Sequence, residues 1–265
     1  MENLIQLSGK DNKTIKAAAK LSCSAAARRE SGEFLLEGAR LCLDAVRAGV
    51  EIKRVFVTEK ALCDYEEYTE PLIAVAKEKY LVSAELFAKL SDTVTPQGVA
   101  AVCATPNNCN KAESKGMYIA LENMQDPSNL GAVARTAEAL GISGIIIGKG
   151  SSDPYSPKAQ RAAMGSLLRL PVIVADNFLE YIGEQKQNGM TVFATTITDA
   201  DCELGSVSFP RGSIVMIGNE GNGLTSEAIF LANKKITISM SGRNESLNAS
   251  VAASLFMWEM TKGEN

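Results

Sequence analysis

The sequence predicts an α/β protein of two domains, the second organised around a parallel β-sheet. Short apolar runs recur through the second half and are separated by segments long enough for helices, as is typical of strands buried on both sheet faces. A polar stretch with few large apolar residues, residues 104–116, divides the chain. The length of 265 residues is sufficient for two hydrophobic cores.

The first half alternates between helix-like and strand-like segments. An apolar strand is expected at residues 34–37, and it leads into a helix at residues 40–48. A strand at residues 52–57, a helix at residues 84–90 and a strand at residues 98–103 follow. This alternation predicts a small α/β domain.

The second half begins with a strand and a helix, the helix being expected at residues 130–140. Strands are expected at residues 117–121, 145–147, 172–174, 192–194, 214–217 and 236–238. We therefore place one domain at residues 1–104, a linker at 105–115 and a second domain at 116–265.

Composition excludes several kinds of chemistry. The chain has no histidine, which removes Ser-His-Asp and Cys-His catalysis. Its six cysteines form no CxxC pair, so neither a metal site nor a disulfide framework is expected. No window reaches the roughly 18 apolar residues of a membrane helix, and the N-terminus lacks a signal-peptide pattern, so we expect a cytoplasmic protein without a membrane partner.

The net charge of −4 argues against a protein that coats nucleic acid, but it leaves room for a local basic face. Lys13, Lys16 and Lys20 fall at i, i+3 and i+7, so on a helix they would project from one side while Ile15 and Ala18 face elsewhere. An ordinary solvated helix face accounts for this pattern as well as an RNA-binding face does.

Three clusters of polar and small residues each adjoin a strongly apolar run. They cover residues 126–131, running on to Arg135, residues 217–223 and residues 245–250. A buried sheet presents the ends of its strands to a ligand, and together the clusters therefore indicate an enzyme site.

Each cluster alone has a simpler interpretation. Asn129 is expected in a loop and Arg135 more than a turn into the following helix, where it could be a surface charge. The second cluster lacks the signatures of a P-loop and of a dinucleotide site, and it could be a turn with Glu220 exposed. Ser246 or Asn244 could merely cap a helix.

The order and spacing of the clusters resemble the three motifs of the SPOUT-class RNA 2'-O-ribose methyltransferases, the SpoU or TrmH-like branch, along nearly the whole chain. Residues 34–38 and 97–101 also resemble the ribosomal-protein-like RNA-substrate-binding domain that often precedes this catalytic domain. Residues 161–171 resemble a segment beside the family's active site, although an ordinary amphipathic helix explains them equally well.

The resemblance implies a C-terminal parallel-sheet α/β domain tied in a trefoil knot and a smaller N-terminal α/β domain. It also implies S-adenosylmethionine as the cofactor and a homodimer as the active unit. The catalytic positions that match the family are Asn129, Arg135, Glu220, Ser246 and Asn248. The matching cofactor-binding positions are Thr195, Gly218, Asn219, Gly221, Ile238, Met240 and Leu247.

The predicted activity is therefore 2'-O-ribose methylation of RNA, with ribosomal RNA as the expected substrate and tRNA as an alternative. Because arginine stays protonated, our hypothesis gives Arg135 the binding of phosphate and the stabilisation of a developing alkoxide, with Asn129 and Glu220 orienting it. Ser246 and Asn248 would shape the ribose site. A catalytically silent RNA-binding protein of the same fold is the second hypothesis, and a flavodoxin-like or dinucleotide enzyme, which lacks its fingerprint here, is the third.

Overall fold

A computed structural model describes residues 4–9, 11–106, 111–242 and 246–262. Contacts divide the chain into two compact units. The first unit comprises Met1–Asn107 and Asp153–Leu168, and the second comprises Asn108–Ser152 and Arg169–Asn265. Cys109, one of the six cysteines, and residues 107–110 of the chain around it lie outside the described residues.

The helices and strands are as follows in chain order. The first 104 residues contain β1 (Ile5–Gln6), α1 (Lys13–Cys23), α2 (Ala25–Ser31), β2 (Glu33–Glu37), α3 (Ala39–Arg47), β3 (Ile52–Val57), α4 (Glu59–Asp64), α5 (Glu66–Val75), β4 (Glu78–Leu81), α6 (Ala84–Phe87) and β5 (Val99–Ala104). The rest contains β6 (Tyr118–Leu121), α7 (Pro127–Ala139), β7 (Gly144–Gly148), α8 (Pro157–Ala163), α9 (Ser166–Arg169), β8 (Val172–Ala175), α10 (Phe178–Gln187), β9 (Thr191–Thr195), β10 (Cys202–Glu203), β11 (Ser213–Ile217), α11 (Ser226–Leu231), β12 (Lys234–Thr237) and α12 (Ala249–Thr261).

The first unit is built on a five-stranded mixed sheet with the order β1-β4-β3-β5-β2. The strands β1, β4 and β3 run parallel to one another, whereas β5 is antiparallel to both β3 and β2. Helix α1 buries Ile15, Ala18 and Leu21. Its lysines, Lys13, Lys16 and Lys20, are exposed, so the predicted one-sided arrangement is confirmed.

Residues 153–168 belong to the first unit although in sequence they lie between β7 and β8 of the second unit. Arg28 is buried and donates from Nε to Asp153 at 2.7 Å. The ring of Tyr155 lies 5.1 Å from that of Phe34 on β2, measured between centroids. Helix α8 packs on β2, and Arg161 forms two hydrogen bonds with Asp92. These contacts make the segment part of the core and surface of this unit.

The second unit is built on a seven-stranded sheet with the order β10-β12-β9-β11-β6-β7-β8, in which all neighbouring strands are parallel. The predicted α/β class with a parallel sheet is confirmed. The chain moves outward from β6 through β7 to β8 and then returns to the other side at β9. The strands β6 and β11 therefore meet where the order reverses, which is the usual ligand position in such sheets.

Two predicted elements differ in the structure. Helix α7 begins at Pro127, three residues before the predicted start, because Asp126 caps it and proline is well suited to the first helical position. Asn129 therefore lies in the first turn of α7, and its predicted loop position was wrong. The stretch at residues 161–171 is broken by Met164 (φ 49°) and Gly165 (φ 86°), which separate α8 from α9, so a single amphipathic helix there is also wrong.

Candidate active site

Asn129 joins the three clusters. It lies in the first turn of α7 and is 8% exposed. Its Nδ2 donates to Oε1 of Glu220 at 2.9 Å, and its Oδ1 accepts from Nδ2 of Asn248 at 3.1 Å. Because the carboxylate can only accept, the amide orientation of Asn129 follows from its partner, and Asn248 must then donate. A single side chain thus connects residues separated by about half the chain.

Glu220 lies at the tip of the loop formed by residues 218–224, which we call the Glu220 loop. The loop follows β11 and leads towards α11, so it leaves the sheet beside the end of β6. Its carboxylate accepts the hydrogen bond from Asn129. It also accepts longer hydrogen bonds of 3.4 Å from the backbone N–H groups of Gln125 and Asp126. Burial alone would raise the pKa of Glu220, but these hydrogen bonds outweigh it and lower the pKa from its usual 4.5. The side chain is therefore a carboxylate at neutral pH.

The Glu220 loop is closed by close contact between its two ends. Asn219 and Gly223 exchange backbone hydrogen bonds of 3.0 and 2.9 Å. A Cβ atom on Gly218 would lie 2.1 Å from the backbone carbon of Gly223, so only glycine fits at that position. Gly223 has a φ of 70°, which also favours glycine. These glycines serve the tight closure of the loop.

Asn219 fixes the inside of the same loop. Its Oδ1 accepts from the backbone N–H groups of Gly221 and Asn222 at 2.9 and 3.2 Å. Its Nδ2 donates to the backbone oxygen of Asn123 at 2.8 Å. The side chain of Asn219, predicted to bind cofactor, is thus engaged in shaping the loop, and its backbone N–H and carbonyl oxygen are both hydrogen-bonded to Gly223.

The third cluster ends at the start of α12. Asn248 is the N-cap of α12, because its Oδ1 accepts from the backbone N–H groups of Ser250 and Val251. The capping role considered for Ser246 from the sequence thus belongs to Asn248, and Asn244 lies outside the described residues. Asn248 therefore combines two functions, capping α12 with its oxygen and binding Asn129 with its nitrogen.

Two of the remaining predicted cofactor positions lie at the ends of neighbouring strands. Thr195 ends β9, and Ile238 directly follows β12, which is the neighbour of β9. Met240 and Leu247 are each 38% exposed. Next to Thr195, the buried Oγ1 of Thr196 has no hydrogen-bond partner among the described residues.

These features fit S-adenosylmethionine, which has a polar ribose and amino acid and an apolar purine face. A buried hydroxyl without a partner is costly, and a ligand at the ends of β9 and β12 would supply one. Met240 and Leu247 have exposed apolar side chains, which is the kind of surface that a purine ring packs against. The residues present therefore match the chemistry of the cofactor.

Arg135 is on α7, exposed, and six residues after Asn129, so the two side chains point to different sides of the helix. Within the described parts of the chain its guanidinium forms no hydrogen bond or ion pair. The structure thus connects Asn129, Glu220 and Asn248 by hydrogen bonds, but it does not connect Arg135 or Ser246 to them.

Sequence reasoning missed two contributors to the site. One is the chain between β6 and α7, where Asn123 adopts a φ of 55° and gives its carbonyl oxygen to Asn219. The other is the buried hydroxyl of Thr196. Asparagine tolerates a positive φ better than most residues, so an asparagine shortly after an apolar strand could have indicated the turn at Asn123. No local pattern distinguishes Thr196 from its neighbour.

Comparison with known proteins agrees with this geometry. Residues 116–258, more than half of the chain, match the model of the SpoU rRNA methylase family, and residues 12–101 match an MRM3-like substrate binding domain. The chain is 28% identical to the 23S rRNA (guanosine(2553)-2'-O)-methyltransferase of Bacillus subtilis, covering 88% of this chain and 90% of that protein.

It is 31% identical to an uncharacterized tRNA/rRNA methyltransferase of Synechocystis, covering 88% and 85% of the two chains. A crystal structure of an S-adenosylmethionine-bound rRNA methyltransferase from Sinorhizobium meliloti has a TM-score of 0.86 at 26% identity, covering 99% of each chain. The fold, the arrangement of the three clusters and these similarities lead to one conclusion. The chain belongs to the SpoU rRNA methylase family.

Proposed function

We propose that this protein is an S-adenosylmethionine-dependent RNA methyltransferase that acts on a ribose 2'-hydroxyl. The observation that carries the proposal is the chain of hydrogen bonds Glu220–Asn129–Asn248, which unites the three family motifs at the carboxyl ends of β6 and β11. A purely structural role would not require two amides and a carboxylate to meet at the edge of a sheet where ligands usually bind.

Cofactor binding is assigned to the edge formed by β9, β11 and β12. Gly218, Asn219 and Gly221 would contribute backbone from the Glu220 loop, while Thr195 and Ile238 would contribute the ends of two strands. Met240 and Leu247 would cover the apolar part. The bound cofactor supplies the methyl group on its sulfonium.

Side chains of the protein would position the ribose 2'-hydroxyl of the RNA. Arg135 is exposed and carries a permanent charge, which suits it to bind an RNA phosphate and to stabilise negative charge that develops on the ribose oxygen. Ser246 and Asn248 would form the ribose site. Asn129 and Glu220 hold Asn248 and the Glu220 loop in place, and among the described residues no hydrogen bond joins either of them to Arg135.

Ribosomal RNA is the proposed substrate. The relative from Bacillus subtilis is named for 23S rRNA, and residues 12–101 match a substrate binding domain. The exposed Lys13, Lys16 and Lys20 on α1 suit the first unit to contact phosphates. On this proposal residues 1–104 bind RNA, residues 105–115 link, and residues 116–265 catalyse, with residues 153–168 packed in the first unit. The site of action is then the cytoplasm.

We also propose a homodimer and the trefoil knot. Helix α12 buries Ala253, Phe256, Met257 and Met260 on one side, yet Val251, Leu255 and Trp258 on another side are 47%, 39% and 55% exposed. Their spacing of four and three residues makes a continuous apolar stripe. A second copy of the chain would bury this stripe, which supports the dimer. The knot rests on family membership.

The experiment that tests the function is methyl transfer from labelled S-adenosylmethionine to total RNA from a strain lacking the gene. Ribosomal and transfer RNA are separated afterwards, and the labelled nucleotide is identified after digestion. Label on a ribose of ribosomal RNA is the expected result. Label confined to tRNA would identify the alternative substrate.

Arg135→Ala is the matched variant, because its side chain is exposed and its loss should leave folding intact. We expect at least about a hundredfold lower turnover with unchanged cofactor affinity, since a charge that stabilises a transition state contributes on this scale. Arg47→Ala, which removes another exposed arginine, is the control. A protein that binds cofactor and RNA but transfers no methyl group to either RNA pool would favour the catalytically silent RNA-binding alternative.

A further inference from the structure

Glu122 is a buried carboxylate beside the site, and the proposed mechanism assigns it no role. It directly follows β6, and its backbone N–H donates to the oxygen of Ile217 at the end of β11, at 2.9 Å. The residue is 6% exposed. Both of its carboxylate oxygens are engaged by one residue, because Oε2 accepts from the backbone N–H of Thr225 at 2.8 Å and Oε1 accepts from its Oγ1 at 2.7 Å.

Thr225 directly follows the Glu220 loop. It is the N-cap of α11, where its Oγ1 also accepts from the backbone N–H of Ala228. Its hydroxyl proton and its backbone N–H are therefore both directed at Glu122. Burying a carboxylate is costly unless hydrogen bonds compensate it, and here a single exposed threonine provides both.

We infer that Glu122 is a positioning residue for methyl transfer, which holds the exit of the Glu220 loop at the end of β6 through Thr225. The entrance of the loop is fixed by β11, and its ends are paired through Asn219 and Gly223. At its exit, where the chain continues into α11, the two hydrogen bonds from Thr225 to Glu122 hold the backbone. The inference rests on the proposed function, since the position to be held is that of Glu220 and of the cofactor-binding backbone.

The carboxylate suits this role better than a neutral side chain would. It presents two acceptors in one plane, so it fixes both the direction of the threonine backbone and the rotamer of its hydroxyl. The loop tip is also tied to the segment that follows Glu122, through Asn219 to Asn123 and through Glu220 to Asn129. The hydrogen bonds of Glu122 to Thr225 thus add a third connection between the first two motifs, at the point where the loop ends.

The test compares Glu122→Gln, Thr225→Val and the double variant in the full-length protein. Calorimetry measures the Kd for S-adenosylmethionine, and steady-state kinetics separate kcat from the KM for RNA. Each single variant should raise the cofactor Kd about tenfold and lower kcat, because a buried acceptor or donor loses its partner. The KM for RNA should stay within about twofold, since neither residue is assigned a contact with RNA.

The double variant tests whether the two residues act together. Independent effects would multiply to about a hundredfold, whereas a shared function predicts a loss in affinity no greater than about tenfold to thirtyfold. Thr225→Ser keeps both hydrogen bonds and should restore wild-type affinity. Asn177→Ala removes the N-cap of α10 and controls for the loss of a helix cap alone; it should lower the melting temperature without changing the cofactor Kd.

Multiplicative effects, or single variants that bind cofactor as tightly as the wild type, would overturn the inference. So would equal losses in Asn177→Ala, because the effect would then be one of general stability. A wild-type protein that itself binds no S-adenosylmethionine would instead refute the proposed function, so the two failures are distinguishable.

Discussion

At the residue scale, the amide of Asn129 acts as a donor and as an acceptor at the same time. Its nitrogen faces a carboxylate and its oxygen faces the amide nitrogen of Asn248. Aspartate has nearly the same shape, but it would place a second carboxylate within hydrogen-bonding distance of Glu220. Two such charges repel at close range, and one of them must then take up a proton or move away.

We therefore expect Asn129→Asp to be more damaging than Asn129→Ala. The alanine variant should lower kcat about tenfold to a hundredfold through the loss of two hydrogen bonds, and the aspartate variant should lower it further at neutral pH. Methyl transfer measured from pH 5 to 8 checks this, because protonation of the shared site should partly rescue only the aspartate variant. Equal activity of the two variants at every pH would contradict the assignment.

The titration of Glu220 gives a second residue-scale prediction. Hydrogen bonds lower its pKa in the folded protein below the usual 4.5. A group with a lowered folded pKa contributes stability above its unfolded pKa, and that contribution is lost as the pH falls through the folded value. The contacts from Gln125 and Asp126 should therefore persist down to pH 4.5 and weaken only below it.

NMR of the backbone amides of Gln125 and Asp126 measures this directly. Their chemical shifts should titrate together with a midpoint below 4.5, and the titration should be absent from Glu220→Gln. A midpoint above 4.5 would show that burial, and not hydrogen bonding, dominates the environment of this carboxyl.

At the scale of elements, helix α12 begins at a residue that the site also uses. Asn248→Asp keeps the acceptor that caps α12 but removes the donor to Asn129, so it separates the two roles. Asparagine and aspartate cap helices about equally well. We expect a free energy of unfolding within about 0.5 kcal/mol of the wild type, with methyl transfer reduced about tenfold.

Asn248→Ala is the matched comparison, since it removes both the cap and the donor. It should lose about 1 kcal/mol of stability in urea unfolding as well as activity. If Asn248→Asp retained full activity, the hydrogen bond to Asn129 would have no catalytic importance.

The sequence predicted the strands of the second unit closely. The strands β6, β7, β8, β9, β11 and β12 lie within about two residues of their predicted positions because each is a short apolar run bounded by polar residues. Helix α5 was not predicted, and Pro71 inside it argues locally for a break. Burial of Thr69 and Leu72 on either side of the proline offsets the lost hydrogen bond.

The candidate site was predicted as a set of positions and not as a geometry. The clusters at Asn129, Glu220 and Asn248 were identified from sequence, but their connection depends on β6 and β11 being neighbours, which follows only from the strand order. The pairing of Glu122 with Thr225 could not be predicted for the same reason, because the two residues are 103 positions apart.

At the scale of the whole molecule, the exposed stripe on α12 bears on association. Trp258→Asp should raise the dimer Kd at least about thirtyfold, because a large aromatic side chain is the usual centre of such an interface. Sedimentation equilibrium over a range of protein concentrations measures it. Phe230→Asp is the control, since Phe230 on α11 is 89% exposed and lies outside the stripe. A wild type that stays monomeric at high concentration would contradict the proposed dimer.

The segment Asp153–Leu168 has a consequence for how this gene could be recombined. A chimera that joins the first 104 residues to a relative's methylase half would receive foreign partners for Arg28, Phe34 and Asp92 in place of Asp153, Tyr155 and Arg161. In a chimera whose donor has no carboxylate at the position of Asp153, Arg28 would be a buried cation without its ion-pair partner, which costs about 3 to 5 kcal/mol. Exchange of the first unit between two members of the family therefore requires a chimera of four alternating segments, in which residues 153–168 are transferred together with residues 1–104.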